Sequence, residues 1–400
     1  MSQMREGETL EDRVVEILSR LQPKSLMRFK CIRKSWCTII NSPSFVAKHL
    51  NNSVDNKLSS STCILLSRSQ PLVFPDNSWK PEVFWSMINL SIDSDEHNLY
   101  YDVEDLSIPF PLEDHDFVQI DGYCNGIVCV RAWKTLHLVN VLLCNPATRK
   151  FSQLPPSCLL QPSRPKRKFQ LEAIVIGLGF GYDCKAKEYK VVQIIENCEY
   201  SDDEQYNYHR IDLPHTAEVY TTAANSWRKI KIDISSGTYD CSCSTYLKGF
   251  CYWFATDGEK YILSFDLGDE IFHRIQLPFW KESDFKFSNI FLCNESIASF
   301  CSCCDPSDED ATLCEIWLMD DYDRVKSLWT KLLTFGPLKG IENPFTFWKS
   351  DELLMVVSGG RATSYNSSTG NLNYLHIPPI LNEVTGSQAL IYVESMVPVK

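Results

Sequence analysis

An internal repeat narrows most what this chain can fold into. Leu142-Leu143-Cys144-Asn145-Pro146-Ala147-Thr148-Arg149-Lys150-Phe151-Ser152-Gln153-Leu154-Pro155 shares one plan with Ile262 to Pro278: an apolar strand, an Asn/Asp-centred turn, an aromatic and a closing Leu-Pro. Weaker copies run from Ala217 to Ile232 around Asn225-Ser226-Trp227, from Glu315 to Leu332 around Asp320-Asp321-Tyr322-Asp323, and from Ala362 to Pro378 around Asn366-Ser367-Ser368-Thr369-Gly370. After the first copy the turn centres fall roughly 43 to 55 residues apart, the span of a four-stranded propeller blade. At about 50 residues per blade, the roughly 335 residues after the N-terminal segment predict a closed all-β ring of six or seven blades, with no choice between the two numbers.

Short strand-like runs fit this ring. Thr62 to Leu66, Gly126 to Val130, Tyr189 to Ile195, Phe250 to Ala255 and Leu353 to Val357 are rich in Val, Ile, aromatics and Cys, and turn residues bound them. The interval from Asn145 to Asn225 is longer than one blade. It holds a Pro/basic loop over 155–168, a hairpin at Tyr182 to Glu188 and an acidic polar insertion from Glu196 to Arg210. Insertions in repeat architectures map to loops on one face, often the binding face, so Glu196, Glu199, Asp202, Asp203 and Glu204 are candidate substrate contacts. A solvated loop is the bland alternative.

Residues 9–50 follow another pattern. Thr9 with Asp12 three residues on resembles a capping box, and Val14, Ile17, Leu18 and Leu21 then form one apolar helical stripe that Pro23 stops. Leu26, Phe29 and Ile32, then Trp36, Ile39 and Ile40, and Phe45 with His49, complete three or four short helices. A unit this small seldom buries enough apolar surface to stand alone, so some of these stripes should face a partner or the rest of the chain. The organisation expected is an irregular N-terminus over 1–8, helices over 9–50, a linker over 51–60 and the propeller over 61–397.

Charge divides at the same place. Residues 1–50 hold nine Lys/Arg against five Asp/Glu, a balance of +4, which leaves 30 against 46, or -16, for the rest. An acidic chain is a poor binder of nucleic acid, because phosphate contacts need a dense cationic face. The one basic run, Arg164, Lys166, Arg167 and Lys168, lies among prolines and reads as a solvated loop. No apolar stretch approaches the roughly 20 residues that span a bilayer, and the N-terminus has no apolar signal core. A cytosolic location is expected, with the 17 cysteines as free, mostly buried thiols. Cys301-Ser302-Cys303-Cys304 offers one zinc-like spacing but no second ligand pair, and no metal or other cofactor is expected.

Catalytic signatures are missing. Gly177-Leu178-Gly179-Phe180-Gly181-Tyr182 imitates a dinucleotide fingerprint but ends in Tyr182 and precedes a strand, so it reads as a strand passing close to its neighbour. No nucleophile elbow, His-Glu-x-x-His or phosphate loop occurs. A propeller hydrolase with an N-terminal appendage stays open as the enzyme reading, and convergent polar residues at a channel mouth would support it.

Leu10 to Trp36, followed by Ser42-Pro43-Ser44-Phe45, resembles the F-box of plant F-box proteins, although Thr9-Leu10 and Leu21-Gln22-Pro23 stand where members commonly have Leu-Pro and Leu-Pro-Pro or Leu-Pro-Val. The remainder resembles their F-box-associated, kelch-like region, through Gly122-Tyr123-Cys124-Asn125-Gly126, Asn145-Pro146-Ala147-Thr148 and Gly179-Phe180-Gly181-Tyr182-Asp183. With Tyr220 to Trp227 and Phe347 to Glu352, the whole is similar to S-locus F-box proteins of the apple and pear group. The resemblance implies a pollen-expressed, non-catalytic substrate receptor of an SCF ubiquitin ligase whose targets are pistil S-ribonucleases of other haplotypes. A receptor for an unrelated substrate is the alternative. It also implies that Leu10, Val14, Ile17 and Leu18, with Pro23, Leu26, Phe29, Ile32 and Trp36, dock on a Skp-type adaptor that bridges to a cullin.

Overall fold

The computed structural model describes residues 9–55, 61–73, 79–92, 99–106, 117–133, 139–160, 169–201, 209–234, 242–278, 285–293, 295–305, 308–323, 326–357, 360–377 and 388–399. The chain opens with α1 (Leu10–Leu18), α2 (Pro23–Phe29), α3 (Lys34–Asn41) and α4 (Pro43–Asp55). The capping box forms as read: Asp12 N donates to Thr9 Oγ1 at 3.2 Å and Thr9 N to Asp12 Oδ2 at 3.0 Å. Pro23 does not stop the first helix, which already ends at Leu18. It opens α2 at a first-turn position, where its missing N–H has no helical partner to lose. The last helix runs on to Asp55, through residues expected as linker.

Every sheet that follows has four antiparallel strands. After β1 (Ser61–Val73), β2 (Trp79–Ile92) and β3 (Leu99–Leu106) come β4 (Phe117–Cys124), β5 (Ile127–Trp133), β6 (Val139–Asn145) and β7 (Lys150–Gln153). The third blade is β8 (Phe169–Asp183), β9 (Glu188–Ser201), β10 (His209–Thr221) and β11 (Ser226–Ile230). The fourth is β12 (Ser242–Leu247), β13 (Phe250–Thr256), β14 (Lys260–Asp266) and β15 (Ile271–Gln276). The fifth is β16 (Phe285–Cys293), β17 (Ser296–Asp305), β18 (Asp308–Asp323) and β19 (Lys326–Lys339). The sixth is β20 (Ile341–Lys349), β21 (Glu352–Val357), β22 (Arg361–Asn366) and β23 (Leu372–Tyr374). The final strand, β24 (Gln388–Ile391), pairs with β1 over Ile64↔Ile391 to Ser67↔Gln388 and so becomes the inner strand of the first blade. The ring has six blades, which settles the choice left open by the repeat.

Each repeat copy is the outer hairpin of one blade. In the turns Asn145 to Arg149, Thr221 to Asn225, Asp266 to Glu270 and Asn366 to Gly370 the fifth residue is left-handed, with φ of 55°, 50°, 58° and 75°. The first side chain accepts backbone N–H bonds from two or three residues on, as Asn366 Oδ1 does from Ser368 at 3.0 Å and Thr369 at 2.8 Å. Short polar side chains supply that acceptor, which is why Asn and Asp mark these turns.

Instead of one core, the ring has six, each between neighbouring blades. Val191 and Ile195 face the second blade, while Val192 and Ile194, on the other side of β9, face the fourth. Strands buried on both faces read as continuous apolar runs, which is how they look in the sequence. Gly179 shows how closely inner strands pass: a Cβ there would lie 2.5 Å from Trp253 and 2.9 Å from Cys251 Cβ, and the Trp253 indole N–H donates to Leu178 O at 3.1 Å. The glycine-rich run is therefore a close-packed inner strand.

Candidate functional site

The helical unit separates the nine apolar candidates into three groups. Leu18 and Leu26 join Ile40 and Phe45 in a small core, and Pro23 is buried beside them. Val14, Phe29 and Trp36 are half-buried against that core, and the last two rings meet edge to face at 5.6 Å. Leu10, Ile17 and Ile32 face outward, 83%, 64% and 65% exposed. On a helix, positions 10, 14 and 17 share one side, so Leu10, Val14 and Ile17 form a ridge whose open flank is apolar. Beside it, Glu16 binds Arg20 at 2.6 Å and Lys48 of α4 at 2.5 Å, which holds its carboxyl below the usual range and ties the first helix to the last. Leu10 and Ile17 thus leave apolar surface in water on a fixed scaffold.

That scaffold is fastened to the propeller. Val46 packs on both the helical core and the second and third blades, and Leu50 packs on those blades, so α4 is seated on the ring. In a ring of antiparallel meanders, the turns between first and second strands and between third and fourth strands lie on one face. The helical unit sits on this face, beside the Asn125-Gly126 and Asn145 to Arg149 turns. Connections between second and third strands, and between blades, leave from the other face.

Blade 3 extends on that second face, as the β1–β2 hairpin of blade 1 does. Its strands β8, β9 and β10 have 15, 14 and 13 residues, and β1 and β2 have 13 and 14, against seven each in β5 and β6. Two of the acidic candidates, Glu196 and Glu199, lie within β9 of this blade rather than in an exposed loop. Glu196 is buried inside β9, opposite Ile174, and Glu199 is half-buried there, opposite Leu171 and Ile211. Three residues apart on a strand, they point to opposite faces of the sheet. The register of a long hairpin, which the polar composition hid, accounts for this correction. Asp202, Asp203 and Glu204 lie outside the described residues, as does the basic run 164–168.

Sequence reading missed one buried polar group on the first strand of the second blade. Asp121, on β4, meets Arg131 of β5: Nε approaches Oδ2 at 2.8 Å, and the guanidinium also donates to Val175 O at 2.8 Å. Burial pushes the Asp121 carboxyl up to about 6 despite the neighbouring cation. The pair is neutral overall and bonded to backbone, and no nucleophile stands beside a base in it. The only signal for it was an Asp and an Arg in two otherwise apolar strands. Cys301 and Cys303 donate to the carbonyls of Glu315 and Leu313, both at 3.7 Å, and burial pushes the Cys301 and Cys314 thiols up to about 12. Among the described residues no helix is long and apolar enough to cross a membrane.

A six-bladed ring carrying a seated helical unit with an exposed apolar ridge defines a two-part binding protein. Its sequence matches the F-box associated beta propeller domain over residues 82–399, and the chain belongs to that family. It is 27% identical to the F-box/kelch-repeat protein At3g23880 of Arabidopsis thaliana over 394 residues, covering 96% of this chain and 93% of that protein. It is also 26% identical to the F-box protein At5g10340 of the same plant, covering 93% and 79%.

Proposed function

We propose that the chain is the substrate-recognition subunit of an SCF-type ubiquitin ligase. Residues 9–50 act as the F-box, with Leu10, Ile17 and Ile32 inserting into a Skp-type adaptor and Val14, Phe29 and Trp36 at the margin. Leu18, Pro23 and Leu26 support that surface from within. The observation that carries the reading is the outward apolar ridge on a unit seated on an F-box-associated propeller. A cullin-bound ubiquitin-conjugating enzyme is then held near a substrate bound to residues 61–397, and this chain contributes proximity, not a reacting side chain.

For the substrate we propose basic S-ribonucleases of other haplotypes, met in the pollen tube cytosol. The -16 balance of residues 51–400 and the resemblance to S-locus F-box proteins support this choice. Complementary charge speeds encounter and fades beyond about 8 Å at physiological salt, so capture should weaken as salt rises. The contact surface is the face away from the helical unit, where blade 3 projects.

A pull-down from pollen extract tests both levels. Recovery of adaptor and cullin supports the ligase assignment, and their absence overturns it. Recovery of both with no S-ribonuclease from a panel retains the receptor and points to an unrelated substrate. Neutralising Glu199, Asp202, Asp203 and Glu204 to amides should weaken S-ribonuclease binding at low salt. Unchanged binding removes these four from the contact surface.

A further inference from the structure

The last residues of the chain belong to two cores at once. After β24, Tyr392 still packs between the first and second blades, and the chain runs on to Val397 outside regular secondary structure. Ser395 is fully buried, and its hydroxyl donates to Asn125 O at 2.7 Å. Asn145 donates from Nδ2 to Ser395 O at 3.0 Å and to Val397 O at 2.8 Å. Val393 N donates to the Tyr123 hydroxyl at 2.7 Å. The segment is therefore laced to the turns of the second blade by its backbone, and Val397 enters the core between the second and third blades.

Met396 points the other way. It is 4% exposed and packs with Leu18, Leu26, Ile40 and Phe45, as the one buried member of that core, among the described residues, from outside the N-terminal helices. Its neighbours Ser395 and Val397 bind the propeller while it completes the helical core. Gly126 makes the lacing possible: its φ is +82°, and a Cβ there would lie 2.1 Å from Ser395 Oγ and 2.6 Å from Ser395 Cβ. Asn125-Gly126 is thus more than a hairpin turn. It is the seat of the C-terminal segment.

We propose that Met396 is a positioning residue for the docking ridge, and that Tyr392 to Val397 form a strut fixing the helical unit to the ring. The ridge residues lie on helices whose packing this side chain completes. The helical unit is then held at one orientation to the substrate face and reaches its full core only when the C-terminus is in place. The affinity readout below rests on the ligase assignment, and the exchange readout does not.

Hydrogen exchange on the full chain tests the strut. Met396→Ala should speed amide exchange over 18–50 by about thirtyfold, since truncating a buried side chain opens the unit that holds it. Amides of β13 and β14 should keep their wild-type rates. Affinity for a recombinant Skp-type adaptor should fall about tenfold through loss of the same core, and Met396→Leu, of similar volume, should restore both. Unchanged exchange over 18–50, or a uniform rise across all six blades, overturns the proposal. A local exchange response in a chain that binds no adaptor upholds the strut and sinks the ligase assignment.

Discussion

The helical unit and the propeller use apolar residues in opposite ways. In the ring the large side chains at the inner and middle strands are consumed by six inter-blade cores, with Trp253, Phe265 and Ile64 at 0% exposure. In the helical unit four residues and a methionine from the far end of the chain make the core, and four large aliphatics, Leu10, Ile17, Ile32 and Val54, stay in water. The ring buries its apolar residues between blades, whereas the helical unit leaves an apolar ridge in water. Their sensitivities to substitution should therefore separate.

The largest separation should come from Trp253→Ala. It empties the core between the third and fourth blades and should cost about 3–5 kcal/mol in urea unfolding of the ring. Adaptor affinity of the remaining folded protein should be unchanged, and a matching loss would break the contrast. Next comes a pH effect confined to the ring. Asp121 has its carboxyl raised in the folded state to about 6, so the folded protein binds the proton more tightly than the unfolded chain. The contribution is fully present below the unfolded value near 4 and is lost as pH rises through about 6, a span of roughly 3 kcal/mol. Asp121→Asn should flatten that slope in denaturant titrations between pH 4 and 6, and a parallel curve would show that Asp121 does not carry it.

Charging the ridge should do the reverse. Ile17→Asp with Ile32→Asp should lower adaptor affinity by about a hundredfold, near 2.7 kcal/mol, because a few large anchors dominate such interfaces. Both sites are already in water, so the ring's unfolding midpoint should stay put. The smallest effect sharpens the comparison within the helices. Thr9→Ala removes the hydroxyl that accepts from Asp12 N, while the backbone bond from Thr9 N to Asp12 Oδ2 can persist, and should cost about 1 kcal/mol of local stability, read as faster exchange at the start of α1.

Much of this arrangement was legible in the sequence, for reasons that also explain what was not. The outer-hairpin turn repeats because its first residue must accept backbone N–H bonds and its fifth must tolerate left-handed φ, so local chemistry printed the blade period. Blade number was hidden because blade 3 stretches its strands and blade 1 takes its inner strand from the other end of the chain. The stripe through Leu10, Ile17, Leu18 and Leu26 was visible, but periodicity could not say which members face a neighbouring helix. Ile17 and Leu18 are adjacent in sequence and differ from 64% to 3% in exposure. Met396 and Asp121 were invisible for a related cause: their partners are set by tertiary closure, and neither carries a spacing that announces it.

Closure of the first blade by β24 has a consequence for synthesis. Domains of a nascent chain generally fold as they emerge, N-terminal parts first. Here β1, β2 and β3 appear early yet lack their inner neighbour until residue 391 has left the ribosome, while blades 2 to 6 have all their strands in succession. The first blade to be made is the last to be finished. Throughout translation β1 presents a bare sheet edge at Ile64 to Ser67, and a stop codon shortly before Gln388 would leave that edge open for good, where strands of other molecules can add.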